Sequence, residues 1–413
     1  MKPRISVSIV LFLTLLMVLG AFLGGCGGRE EILIGAPMPL TGPYASDGEQ
    51  MRMALEMAIA EKNAEGGLLG RRLKLVPGDV GALEAEKIKA VGERLMGMGV
   101  DVVITGYADS GVDARVFGVY DVPFLHANAL TLDTELVGLD PIKYGNVFQY
   151  CPSEVSYGYD AAANLFKMPQ KLGWTPPNNK IAVIKVDYSY NVLAADKFAE
   201  LAKQQGYEIV VDEITQFGVV EWGPILTKIE QTQPAYVTFW NLDPTDASRF
   251  MIQFKEKFGD KGLNALVFMQ FTPSIPEFLT LAGEAAEGLL WTASINPVGE
   301  GVADYRERWI KRYGEEPKSI YAYVTRDGFE IWVKAVEQAS CVDCYDKIVK
   351  IIREMRYTGL AGTHQFNPTD QQSLFGDDLI PTLWYQIQNG KHVIVFPNKY
   401  AQGNLVLPPW IKK

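Results

Sequence analysis

No residue in this chain stands in a recognised catalytic frame. There is no G-x-S-x-G turn for a serine nucleophile, no Walker lysine loop, no G-x-G-x-x-G turn after a strand and no H-E-x-x-H helix. Asp377-Asp378 reads as two adjacent surface charges rather than an acid and a base facing each other. The residues that could do chemistry form short polar and aromatic clusters, each at the end of an apolar, β-like run. They are Gly106-Tyr107-Ala108-Asp109-Ser110-Gly111, Leu125-His126-Ala127-Asn128-Ala129-Leu130-Thr131, Asp187-Tyr188-Ser189-Tyr190-Asn191, Trp240-Asn241 and Gln270-Phe271. Hydroxyls, amides and ring faces next to helix starts suit recognition of a ligand, and with none of those catalytic motifs present no enzyme activity is expected. The clusters also have plain structural readings: Ser110 or Asp109 as a helix cap, Tyr190 as a partly buried surface ring, His126 as a hydrogen-bonded structural histidine, and the aromatics at strand ends as ordinary core.

Four cysteines add little chemistry. Cys151 stands alone, and Cys341-Val342-Asp343-Cys344 is the one close pair after the N-terminal segment. In an exported protein that spacing suits a small structural disulfide or two free thiols. A zinc site would need a second pair of ligands nearby, and none is present, so neither a metal nor a cofactor is expected.

The elements that position these clusters alternate. A strand at 32–36 leads through a Pro/Gly/Ser loop to a helix carrying Ala54, Leu55, Ala58 and Ile59. Strands at 72–77, 100–105 and 122–125 follow, with a helix at 84–98. The rhythm restarts with a strand at 181–184, a helix at 191–205, and strands at 235–240, 265–269 and 288–291, with helices at 245–258 and 275–282 between the later ones. Helical patterns at 302–313, 321–338 and 345–355 precede a strand-like tail at 382–396 that can return to an earlier sheet. Strand–helix alternation of this kind builds α/β lobes with doubly wound parallel sheets, and two runs of it make two lobes.

At the N-terminus, Lys2 and Arg4 precede an apolar stretch from Ile5 to Leu23, the layout of a secretory signal. An uncleaved helix is the alternative, since roughly 20 residues also span a bilayer. The roughly 390 residues beyond the leader exceed what one core usually serves. With 48% hydrophobic residues, 21% charged residues and a formal charge of −10, the chain has an ample core and no basic excess for nucleic acid.

Leu23-Gly24-Gly25-Cys26 resembles the lipobox of bacterial lipoproteins, which implies a signal peptide at 1–25 and a lipid anchor on Cys26. The rest resembles the branched-chain amino-acid (Leu/Ile/Val) binding family of periplasmic solute-binding proteins of ABC transporters. Three segments carry the likeness: Ile34-Gly35-Ala36-Pro37-Met38-Pro39-Leu40-Thr41-Gly42-Pro43, Ile59-Ala60-Glu61-Lys62-Asn63-Ala64-Glu65-Gly66-Gly67-Leu68-Leu69-Gly70 and Leu281-Ala282-Gly283-Glu284-Ala285-Ala286-Glu287-Gly288. The resemblance implies the type I fold, two doubly wound parallel-sheet lobes joined by three hinge crossings, near 149–153, 292–296 and 362–368. Lobe 1 would then hold residues 30–150 and about 293–363, and lobe 2 residues 151–292 and about 364–413.

It also implies ligand-binding residues in the cleft: Ser110 and the Gly111 amide on a carboxylate, Asn128 and Ala129 in the second loop, Tyr190 as an aromatic wall, and Tyr107, Asn241 and Phe271 nearby. Asp109 departs from the family pattern, because a carboxylate beside an anion site repels it. Phe271 stands where amino-acid binders place an acid for the ligand's ammonium, a role left to Glu221, Asp243 or Asp47. The expected ligand is a branched-chain or hydrophobic amino acid, or a related small carboxylate or amide. The expected protein is a monomeric, exported, periplasmic or cell-surface lipoprotein serving ABC permease subunits; a sensor of the same fold signalling to a receptor is the alternative.

Overall fold

The computed structural model describes residues 31–108 and 111–412, so the leader, Cys26, Asp109 and Ser110 lie outside the described residues. In the first lobe, β1 (Glu31–Met38), β2 (Arg72–Asp79), β3 (Val102–Thr105), β4 (Phe124–His126) and β5 (Val147–Gln149) form a parallel sheet in the order β2-β1-β3-β4-β5. Residues of β3 and β4 are buried throughout, as expected of central strands covered on both faces. The edge strand β2 alternates exposed and buried positions over most of its length. Helices Ala45–Ala64, Tyr321–Ala339 and Tyr345–Glu354 cover one face; Ala85–Met98, Asp113–Phe117 and Thr131–Leu139 cover the other.

In the second lobe, β6 (Lys180–Val186), β7 (Glu208–Thr215), β8 (Tyr236–Trp240), β9 (Leu266–Gln270) and β10 (Leu290–Ala293) run parallel. After the hairpin of β11 (Arg356–Gly359) and β12 (Gly362–Gln365), the tail supplies β13 (Leu383–Gln388) and β14 (Lys391–Phe396). These two extend the sheet to β14-β13-β10-β9-β8-β6-β7; β13 pairs antiparallel with β10, and β14 pairs antiparallel with β13, to which a two-residue turn joins it. The returning tail is as expected; the antiparallel edge, the three-residue β5 and the edge strand β7 are additions.

Three crossings join the lobes. The first follows β5 and the second follows β10. The third comes later than the sequence reading placed it, because residues 366–373 stay with the first lobe. The Gln149 amide donates to Gln371 O at 3.1 Å, the Ser373 amide donates to Gln149 O at 2.7 Å, and Phe366 packs edge-on against Phe148. The chain therefore leaves for β13 at Pro381-Thr382, and Thr382 Oγ1 lies 2.8 Å from Ser294 Oγ of the second crossing. Cys341 and Cys344 form a disulfide, and Cys151 is a buried free thiol. Among the described residues, no helix is long and apolar enough to cross a membrane.

Candidate functional site

The carboxyl ends of β3 and β4 in one lobe and of β6, β8 and β9 in the other face each other across a cavity of ≈ 50 Å³. That is room for roughly four waters, or for one small solute. The first lobe and its crossing contribute Tyr44, Leu83, Tyr107, Ala127, Asn128, Ala129, Leu130, Ile295 and Tyr321. The second contributes Tyr157, Tyr188, Tyr190, Leu242 and Phe271. Six tyrosines and a phenylalanine make the wall largely aromatic, and no charged side chain lines it among the described residues. Gly106, next to Tyr107, lets Tyr321 approach: a Cβ there would lie 2.6 Å from that ring.

Two hydroxyls at this cavity are oriented by their partners. The Tyr107 hydroxyl donates to Asp47 Oδ2 at 2.9 Å, and Ser319 Oγ donates to Asp47 Oδ1 at 2.5 Å. Burial pushes the Asp47 carboxyl up to about 6 against the pull of those two bonds. With its proton committed, the Tyr107 oxygen is left to accept. On the opposite wall Gln270 Nε2 donates to the Tyr190 oxygen at 2.9 Å, which leaves the Tyr190 proton to be donated.

The backbone is strained where it meets the cavity. Leu83, Ala129, Phe271 and Ile295 have φ between +60° and +64°, four of the nine non-glycine residues with positive φ among the described residues. Such conformations cost on the order of 1–3 kcal/mol each and gather where a site needs a particular backbone path. Phe271 (φ 61°, ψ −54°) is held by its amide donating to Thr292 O at 2.9 Å and by the Ser274 amide donating to its carbonyl at 2.7 Å. Ala129 is held through its carbonyl, which accepts from the Glu154 amide at 2.7 Å. Glu154 Oε2 in turn accepts from Thr131 N and Oγ1 at 2.6 and 2.8 Å, and burial raises its carboxyl to about 7. The lobes also touch at the rim, where Ser46 Oγ donates to Glu277 Oε2 at 2.7 Å.

Of the residues expected in the cleft, Tyr107, Asn128, Ala129, Tyr190 and Phe271 line this cavity, and Gly111 and Asn241 do not. Ser110 lies outside the described residues. Asn241 is turned to its own loop, its Oδ1 accepting from the Asp243 amide at 2.7 Å and its carbonyl from Thr272 Oγ1. Trp240 points into the lobe core beside Phe198 and Phe268. Asp243 caps a helix by accepting from Thr245 N and Asp246 N, Glu221 is exposed, and Asp47 reaches the cavity only through Tyr107.

Sequence reasoning missed Tyr44, Tyr157, Tyr188 and Tyr321. Tyr44 follows the Gly42-Pro43 turn already marked as a strand exit, and Tyr188 sits in a marked cluster, but nothing local announces Tyr321. His126 departs from the expected hydrogen-bonded histidine. It is fully buried, stacked on Phe124 at 4.7 Å, lowered to about 3 by burial, and neither ring nitrogen has a hydrogen-bond partner among the described residues.

Residues 31–376 match a family model described as periplasmic binding protein. The chain is 25% identical over 407 residues to Leu/Ile/Val-binding protein homolog 7 of Brucella abortus (strain 2308), covering 93% of this chain and 96% of that protein. A solved structure from Silicibacter pomeroyi, provisionally described as a branched-chain amino acid ABC transporter, superposes with a TM-score of 0.83 at 27% identity, covering 92% of this chain and all of that one. A solute binding protein of an ABC transporter from Rhodopseudomonas palustris BisB5, solved with 3,4-dihydroxybenzoic acid, shares the fold with a TM-score of 0.71 at 18% identity, covering 92% and 99%. Two lobes closed on an aromatic cavity, and a family match over most of the chain, lead to one assignment: this chain belongs to the periplasmic binding protein family, a family of solute-binding proteins.

Proposed function

We propose that this protein is the solute-binding subunit of an ABC importer, acting by binding and not by catalysis, and that it clamps one small, mainly apolar solute between its lobes. The observation that carries this reading is the uncharged aromatic cavity built from both lobes. A solute touching both walls stabilises the closed form, and the closed form is what a membrane permease can recognise. The ligand class is a hydrophobic amino acid or a related small carboxylate or amide. Tyr107 offers an acceptor and Tyr190 a donor on opposite walls, so the favoured ligand carries a donor at one end and an acceptor at the other. With no charged side chain lining the cavity among the described residues, an ammonium group has only tyrosine oxygens and ring faces to meet; amides and hydroxy carboxylates therefore rank ahead of free amino acids. The Rhodopseudomonas protein of this fold, solved with an aromatic carboxylate, is consistent with that ranking.

In this reading the protein is exported, loses residues 1–25, and works as a monomer tethered to the membrane by a lipid on Cys26. A Cys26→Ala variant is expected to leave the membrane fraction with its ligand affinity unchanged; full membrane retention would remove the anchor from the account. The ligand assignment is tested by a thermal-shift screen of the leader-free protein against amino acids, aliphatic and aromatic carboxylates and small amides. A ligand at 100 times its Kd adds about 2.7 kcal/mol of stability. Stabilisation by members of these classes supports the proposal, and the absence of any shift across them would overturn it.

A further inference from the structure

Behind the first-lobe wall of the cavity, three buried side chains converge that the reading above does not use. Asp113, His126 and Asp133 are 0%, 0% and 1% exposed, and each offers one donor atom within 4.8 Å of the other two. His126 Nδ1 lies 3.8 Å from Asp133 Oδ2, and this imidazole, on the end of β4, has neither nitrogen hydrogen-bonded among the described residues. A buried ring of that kind forfeits on both nitrogens the bonds that water would supply, so an ion or a water is the ordinary explanation for one.

We propose that Asp113, His126 and Asp133 form a binding site for one divalent transition-metal ion, such as Zn²⁺ or Mn²⁺. Two carboxylate oxygens and an imidazole nitrogen are a donor set for such ions, the imidazole favouring them over calcium and magnesium. Metal–donor bonds of about 2.0–2.2 Å place neighbouring donors about 3.4 Å apart in a tetrahedral site, so a small contraction of the present spacing completes it. Asn128 is the fourth participant. Its Nδ2 donates to Asp113 Oδ2 at 2.6 Å and to Asp133 Oδ2 at 3.1 Å, spanning the two carboxylates. Its Oδ1 accepts from the Ala108 amide at 3.2 Å, so an ion between the carboxylates takes the place of the Nδ2 donor and displaces it from them. Because Asn128 also lines the solute cavity, the ion adjusts the cavity floor.

The test uses the leader-free protein, stripped with a chelator and titrated calorimetrically with Zn²⁺ and, separately, Mn²⁺. The expected result is saturable binding of one ion per chain, weakened about 100-fold or more in His126→Phe, which keeps the ring packing on Phe124. Asp133→Asn, nearly isosteric, is the second variant and guards against a folding defect in the first. Wild-type protein that binds neither ion, leaving a water as the partner of His126, would overturn the proposal. So would one-to-one binding that persists unweakened in both variants. Neither outcome bears on the solute screen, which is run in the presence of chelator.

Discussion

The two walls of the cavity are both aromatic, yet they are backed differently. Behind Tyr107 on the first-lobe wall lies a buried carboxylate, Asp47, which accepts a hydrogen bond from the hydroxyl; behind Tyr190 on the second-lobe wall lies an amide, Gln270, which donates one to the hydroxyl oxygen. The same side chain is thus an acceptor on one side of the cavity and a donor on the other. The pairing teaches that a tyrosine's hydrogen-bonding role is set by the residue behind it, and that under the proposed function this cavity would orient a solute as well as enclose it.

The largest effect expected from breaking the comparison is Tyr107→Phe. Removing the donor to a buried carboxylate costs about 1.5–3 kcal/mol of unfolding free energy, read by urea denaturation at pH 7.5. The cost should shrink at pH 5, where Asp47, titrating at about 6, is largely neutral. A pH-independent loss would mean that Asp47 is not what Tyr107 serves.

Next in size, Tyr190→Phe leaves only a neutral amide unpaired. It should cost about 1 kcal/mol of stability with no pH dependence between 5 and 7.5, and about tenfold in affinity for a ligand accepting from the hydroxyl. Equal stability losses and equal pH profiles for the two variants would erase the distinction between the walls.

The smallest effect lies at the seam, where Glu154 holds the Ala129 loop of the first lobe. Its carboxyl goes from 4.5 to about 7 on burial, so the folded protein holds the proton more tightly than the unfolded chain. The associated stability is complete below pH 4.5 and is lost as pH rises through 7. His126 and His392, lowered to about 3 and 4, work in the opposite sense, but only below their unfolded value of 6.5. Between pH 6.5 and 8, Glu154 should therefore remove about 1 kcal/mol; buried Asp160, also raised to about 7, adds its own decline to both proteins, so wild type should fall about 1 kcal/mol further than Glu154→Gln over the same range. Parallel curves for the two proteins would exclude Glu154 as the source.

Much of this architecture was legible because period and punctuation agree with it. The helix Val302–Tyr313 falls on its expected residues, and Gly66-Gly67 closes the first long helix. What escaped was short or non-local. β5 has three residues, too few to show a pattern, and the third crossing is fixed by Gln149 pairing with residues more than 200 positions away.

The site was legible by its loops rather than its side chains. Tyr107, Asn128, Ala129, Tyr190 and Phe271, chosen on the rule that ligands sit beyond strand ends, line the cavity between the lobes. Trp240 and Asn241 stand at a strand end too, but one turns into the core and the other satisfies its own loop, a choice made by neighbours such as Phe268 and Asp243. The cluster of Asp113, His126 and Asp133 was invisible in sequence because each residue sits on a different element and only the packing of those elements joins them.

The most direct test of the account is calorimetric titration of the best-stabilising solute from the screen into wild-type protein, Tyr107→Phe and Tyr190→Phe. The account predicts one solute per chain and an affinity loss in both variants, because the solute is held from both walls. Full wild-type affinity in either variant would contradict it, since a solute held by one lobe alone could not signal closure.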